Sequence, residues 1–85
     1  MEVQIHRSAR KHDCRDADIL HAMELALLVA QTGDDKVLYL GPDRAGNLLE
    51  VLTLIREPTV EIVIHAMRMR PQYRRFLPGG DHDDR

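Results

Sequence analysis

Aromatic side chains are scarce: Phe, Tyr and Trp make up 4% of the 85 residues, and Trp is missing altogether. The core must therefore be aliphatic, and a platform that stacks a run of nucleobases is not expected. Cysteine occurs once, at Cys14, so no internal disulfide can form and a reducing compartment is the natural setting. No apolar run approaches the ~20 residues of a membrane span. Met1 to Ser8 is charged and lacks the apolar stretch of a secretory signal, which makes a cytoplasmic location the expectation. A chain of this length has material for a single core, which rules out most enzymes built around large cofactors. Zinc-type Cys/His spacing, a dinucleotide fingerprint, paired carboxylates on one helix face and a Ser-His-Asp set are all missing. Neither a metal nor a cofactor is expected; only the tail run Asp81-His82-Asp83-Asp84 could hold an ion loosely.

What is present is unevenly placed charge. The net charge of −2 speaks against a polyanionic partner, but the distribution reverses that impression. Arg7, Arg10, Lys11 and Arg15 crowd one short stretch, and Arg68, Arg70, Arg74 and Arg75 crowd another that holds no acid. If the fold joins them, the molecule has one cationic face on an otherwise acidic body; if not, they are solvated surfaces.

The hydrophobic pattern changes period along the chain. Val3 and Ile5 alternate with polar residues, which fits a short edge strand or the start of a helix. Ser8 is a good cap for a short basic helix through about His12. Ile19, Ala22, Met23, Ala26 and Leu27 recur at helical spacing from Asp16 to about Leu27, with Asp16 and Asp18 at the end that favours anions. Four aliphatic runs follow: 28–31, 37–41, 48–55 and 60–67, separated by the turn clusters 32–35, 42–47 and 56–59. Connections this short imply an antiparallel meander. Pro71 ends the last strand, and 72–77 can form a short helix before the charged tail. The expected class is α+β: an antiparallel four-stranded sheet, to which residues near Val3 could add an edge strand, packed against two N-terminal helices, with a short C-terminal helix. Residues 1–77 form the domain and 78–85 a disordered charged tail.

Two constellations carry chemistry. Arg10-Lys11-His12 sets two permanent cations beside an imidazole, a group able to hold a phosphate and exchange a proton near neutral pH; the same residues also suit a helix C-terminus. His65 stands close to Arg68, Arg70, Tyr73, Arg74 and Arg75, where arginine forks suit phosphate oxygens and a tyrosine can stack on a base. Parity separates these residues: along an unbroken strand His65 shares a face with Glu61, Val63 and Met67, and Arg68 and Arg70 share the other, unless the strand ends or bulges near Met67. Gly41 to Asn47 reads as a hairpin loop with Gly46 at positive φ, and Arg44 within it could add a phosphate contact.

Ser8-Ala9-Arg10-Lys11-His12 followed by Asp18-Ile19, then Leu40-Gly41-Pro42-Asp43-Arg44-Ala45-Gly46-Asn47-Leu48-Leu49-Glu50-Val51, then Val63-Ile64-His65-Ala66-Met67-Arg68 with Tyr73-Arg74-Arg75, resembles the BrnT-like branch of the RelE/ParE toxin superfamily. The resemblance covers roughly 3–77. It implies a compact antiparallel sheet flanked by helices and a metal-independent endoribonuclease acting on mRNA, free or on the ribosome. It also implies an antitoxin protein as partner, with operator DNA reached only through the antitoxin complex. Carried over, the family's Arg-Lys-His falls on Arg10, Lys11 and His12, and its basic stretch on Arg68, Arg70, Arg74 and Arg75. Asp13 stands where the family usually has glycine, and His65-Ala66-Met67 where it tends to carry Ser-Ala-Arg, so either His65 substitutes or activity is lost. On this reading His65, His12, Arg68 and Lys11 are the catalytic residues, and Arg7, Arg10, Arg44, Arg70, Tyr73, Arg74 and Arg75 hold RNA. The competing expectation is a non-catalytic domain: a ParE-like inhibitor of a protein such as gyrase, or an inactive toxin that represses with its antitoxin.

Overall fold

The turn clusters divide the chain where the aliphatic runs alone cannot. The computed structural model, which describes residues 2–79, places strands β2 (Leu28–Gln31), β3 (Lys36–Pro42), β4 (Leu48–Glu57) and β5 (Val60–Arg68) between them, each antiparallel to the last. Strand β1 (Glu2–Ile5) completes a mixed α+β architecture. It lies parallel to β5 at the sheet edge, giving the order β1-β5-β4-β3-β2. The sheet is thus five-stranded and not wholly antiparallel. A parallel neighbour needs a long connection, and the rest of the domain supplies it.

The expected pair of N-terminal helices is one helix and one turn. Helix α1 spans Asp16–Glu24, while Arg7–Arg10 forms a single 3₁₀ turn. The helix stops before Leu27 because Leu27 N already donates to Leu40 O at 2.8 Å, which commits that backbone to the sheet. Pro71 opens a C-terminal 3₁₀ segment, Pro71–Phe76, in place of the expected short helix. The tail expected to be disordered falls, from residue 80 onward, outside the described residues, and so does the loose ion site of Asp81, His82, Asp83 and Asp84.

One sheet face carries the main core. Ile19 and Ala22 of α1 and Ala9 of the 3₁₀ turn pack on Leu49, Val51, Val63 and Ala66, with Ile5, Cys14, Met23 and Tyr39 around them. Gly41 permits the close approach: a Cβ there would lie 2.1 Å from the Ala22 carbonyl oxygen and 2.9 Å from Ala26 Cα. Gly46 turns the β3–β4 hairpin at φ 90°, as expected of it. The opposite face, called open below, is partly covered by the C-terminal segment, whose Tyr73 and Phe76 border an apolar groove with Leu28, Ala30, Thr32 and Leu38.

Candidate functional site

A β-bulge decides which way His65 points. Val51 faces α1, so its neighbours Glu50 and Leu52 face the open side. The register pairs Thr53 with Val63 but Leu52 with His65, leaving Ile64 as the extra residue. The break in parity therefore comes before His65, not near Met67. It places His65 and Met67 on the open face with Glu50 and Leu52, and sends Arg68, paired with Leu49, to the helix face. The N-terminal turn pins the bulge: Ser8 Oγ donates to Ile64 O at 2.7 Å and His6 N to Val63 O at 2.9 Å. Ser8 is thus not the cap of that turn. His6 is, its Nδ1 accepting from Ser8 N at 3.1 Å.

Glu50 is the centre of the open-face cluster. Its carboxyl accepts from His65 Nε2 at 3.0 Å, from Arg70 backbone N at 3.0 Å and from the Arg70 guanidinium at 2.7 Å (Nη2) and 3.1 Å (Nε). The Glu50 side chain is 1% exposed. Burial pushes its carboxyl up, but the hydrogen bonds from Arg70 and His65 prevail and hold it below the usual carboxylate range. An ionised carboxylate only accepts, so His65 Nε2 carries the hydrogen, and in the neutral ring Nδ1 is the nitrogen with the lone pair. His65, with its side chain 29% exposed, is an oriented imidazole with one nitrogen left for a ligand.

His12 joins it from the other end of the sequence. After the 3₁₀ turn the chain reverses at Asp13, which adopts φ 64°, a left-handed conformation that aspartate tolerates better than most residues. His12 then meets His65 edge to face, with ring centroids 5.8 Å apart and planes at 77°. The two imidazoles proposed from separate basic stretches are neighbours.

The cations divide into two groups. Arg10 pairs with Asp16 at 2.8 Å, Arg44 with Asp18 at 2.8 Å, and Arg70 with Glu50 at 2.7 Å. Side-chain hydrogen bonds from Arg10 and Arg44 hold the Asp16 and Asp18 carboxyls below their ordinary values. Arg7, Lys11, Arg68, Arg74 and Arg75 are exposed and make no ion pair with the described residues. Cys14 borders the helix-side core, and burial pushes its thiol up. Tyr73 sits under the Arg70 guanidinium, 5.7 Å from its ring centre, and so is linked to Glu50 through that arginine.

Two buried acids escaped the sequence reading. Glu50 is one; Glu61 is the other, on the helix face, where Thr53 Oγ1 donates to it at 2.7 Å and the Tyr39 hydroxyl donates to the same oxygen. Burial and this carboxylate push the Tyr39 phenol well above its ordinary value. The available signal was an acid among aliphatic residues within a strand, since a buried carboxylate persists only with donors. Comparison of the chain with protein-family models, curated proteins and solved structures gives no match.

Proposed function

We propose that this chain is a metal-independent endoribonuclease, the toxin half of a toxin–antitoxin pair, acting on single-stranded RNA. The observation that carries the reading is the contact of His12 with a His65 oriented by buried Glu50. RNA cleavage without metal needs a base for the 2′-OH and an acid for the departing 5′-oxygen, and two adjacent imidazoles supply both. His65 Nδ1 takes the 2′-OH proton, the 2′-oxygen attacks phosphorus, and the 5′-oxygen leaves with a proton from His12. The products are a 2′,3′-cyclic phosphate and a 5′-hydroxyl end. Lys11 and Arg7, on the stretch that carries His12, stabilise charge on the phosphate. Glu50 and Arg70 act through His65 as positioning residues.

The pairing of Arg10, Arg44 and Arg70 with internal carboxylates withdraws three cations from RNA and favours a second reading, a non-catalytic domain that inhibits a protein target or represses with an antitoxin. Purified protein incubated with labelled RNA in EDTA separates the two. Cut product with a cyclic phosphate end supports the nuclease; RNA left intact at every protein concentration supports the alternative.

A further inference from the structure

We infer that the C-terminal 3₁₀ segment and the open face of β2 and β3 form a subsite for one nucleobase of single-stranded RNA, linked to the His12–His65 pair through Arg70. The inference rests on the nuclease reading for its ligand class, and adds where a base is held and how it is chosen.

The groove bordered by Leu28, Ala30, Leu38, Tyr73 and Phe76 has a volume of about 330 Å³ and an apolar wall. Tyr73 and Phe76 stand with ring centroids 6.4 Å apart, and Phe76 is 50% exposed. An aromatic half in solvent, over a groove lined by aliphatic strands, gives a flat ligand one stacking surface and one apolar floor.

Charge selects a base over an apolar peptide. The segment that carries the two rings also carries Arg74 and Arg75, with Arg70 just before it; the Arg75 guanidinium lies 5.1 Å from the centre of the Phe76 ring. Pro71, Gln72, Arg74 and Arg75 line a second, shallow hollow on the same segment, suited to the phosphate that adjoins a stacked base. Two aromatic rings flanking a pair of arginines offer a ligand that carries both π-faces and phosphates a partner for each. The subsite is continuous with the candidate active site, because Arg70 grips Glu50 and also lies over Tyr73.

The groove surface is apolar, and among its lining residues only Thr32 and Tyr73 carry a hydroxyl, which is too little to read a whole base edge. Selection therefore follows stacking area, with purines held more tightly than pyrimidines and no strict requirement for one base.

The test uses the full chain and a short single-stranded RNA in which 2-aminopurine replaces each base in turn. Fluorescence should be quenched strongly at one position. Phe76→Ala should abolish that quench and weaken binding about tenfold, while Phe76→Trp should restore both. Circular dichroism of each variant checks that the fold is kept, as expected for a half-exposed residue. Binding and quenching without cleavage would support the subsite and sink the nuclease reading. Cleavage that is unchanged in Phe76→Ala, with no quench at any position, would overturn the subsite and spare the nuclease. A strict requirement for one base at the quenched position, or occupation of the groove by the antitoxin while RNA still binds, would also overturn it.

Discussion

His65 Nε2 donates to Glu50 Oε2 across 3.0 Å, so an imidazole from β5 is fixed by a carboxylate that β4 has buried. The contact exists because the bulge at Ile64 turns His65 away from Val63, and because Arg70, beyond the strand end, folds back onto Glu50 and keeps it ionised.

Glu50→Gln should separate positioning from binding. The amide carries no charge to stabilise an imidazolium, so kcat should fall at least about tenfold with KM for RNA nearly unchanged. The variant should lose about 2 kcal/mol of stability at neutral pH, through weaker bonds to Arg70 and His65. Glu50 titrates below its unfolded value, so its contribution is complete above the ordinary carboxylate range and is lost as pH falls through the lowered value. Urea unfolding across pH should show the gap between the variants closing below about pH 4.

Arg68 and Arg70 should behave differently. Arg70→Ala releases Glu50 and should depress kcat along with RNA affinity. Arg68→Ala, on the helix face, should leave cleavage within about twofold of wild type while slightly reducing the salt dependence of binding. Equal losses of kcat in both would place Arg68 at the reacting phosphate.

Tyr39 should ionise late. Its phenol is raised by burial and by Glu61, so the stabilisation is present below the ordinary value of about 10 and is lost as pH rises toward the higher folded value. In an absorbance titration, Tyr39→Phe should remove the last phenolate step. The substitution should also cost about 1 kcal/mol near neutral pH, through the lost hydrogen bond to Glu61.

Gly41→Ala should be among the most damaging small substitutions. Its Cβ would meet the backbone of α1, which cannot rotate aside as a side chain would. A loss of about 3 kcal/mol in denaturant unfolding is expected, with the contacts of Ile19 and Ala22 loosened.

The meander was legible because turn residues separate its runs: β2 matches its expected span, β3 exceeds its by one residue at each end, and β4 and β5 run on by two residues and one at their C-terminal ends. The end of α1 was not, since Leu27 continues the helical spacing and only its bond to Leu40 stops it. Proximity of His12 and His65 could be expected from the two basic stretches, but the means could not. The bulge is pinned by Ser8, distant in sequence from Ile64, and no local pattern reports such a contact. Asp16 and Asp18 read as partners of a helix terminus, yet the fold brings Arg10 and Arg44 to them, and three arginines counted as free for RNA are internally paired.

The central claim is that His12 and His65 are a proton-transfer pair. It is tested most directly by cleavage of a labelled single-stranded RNA in EDTA by wild type, His65→Gln and His12→Gln, with bound and cut fractions scored separately across pH. Wild type should yield 2′,3′-cyclic phosphate ends, and each variant should bind RNA but cleave at least about a hundredfold more slowly. Undiminished cleavage in both variants, or RNA binding by wild type with no cleavage at any pH, would contradict it.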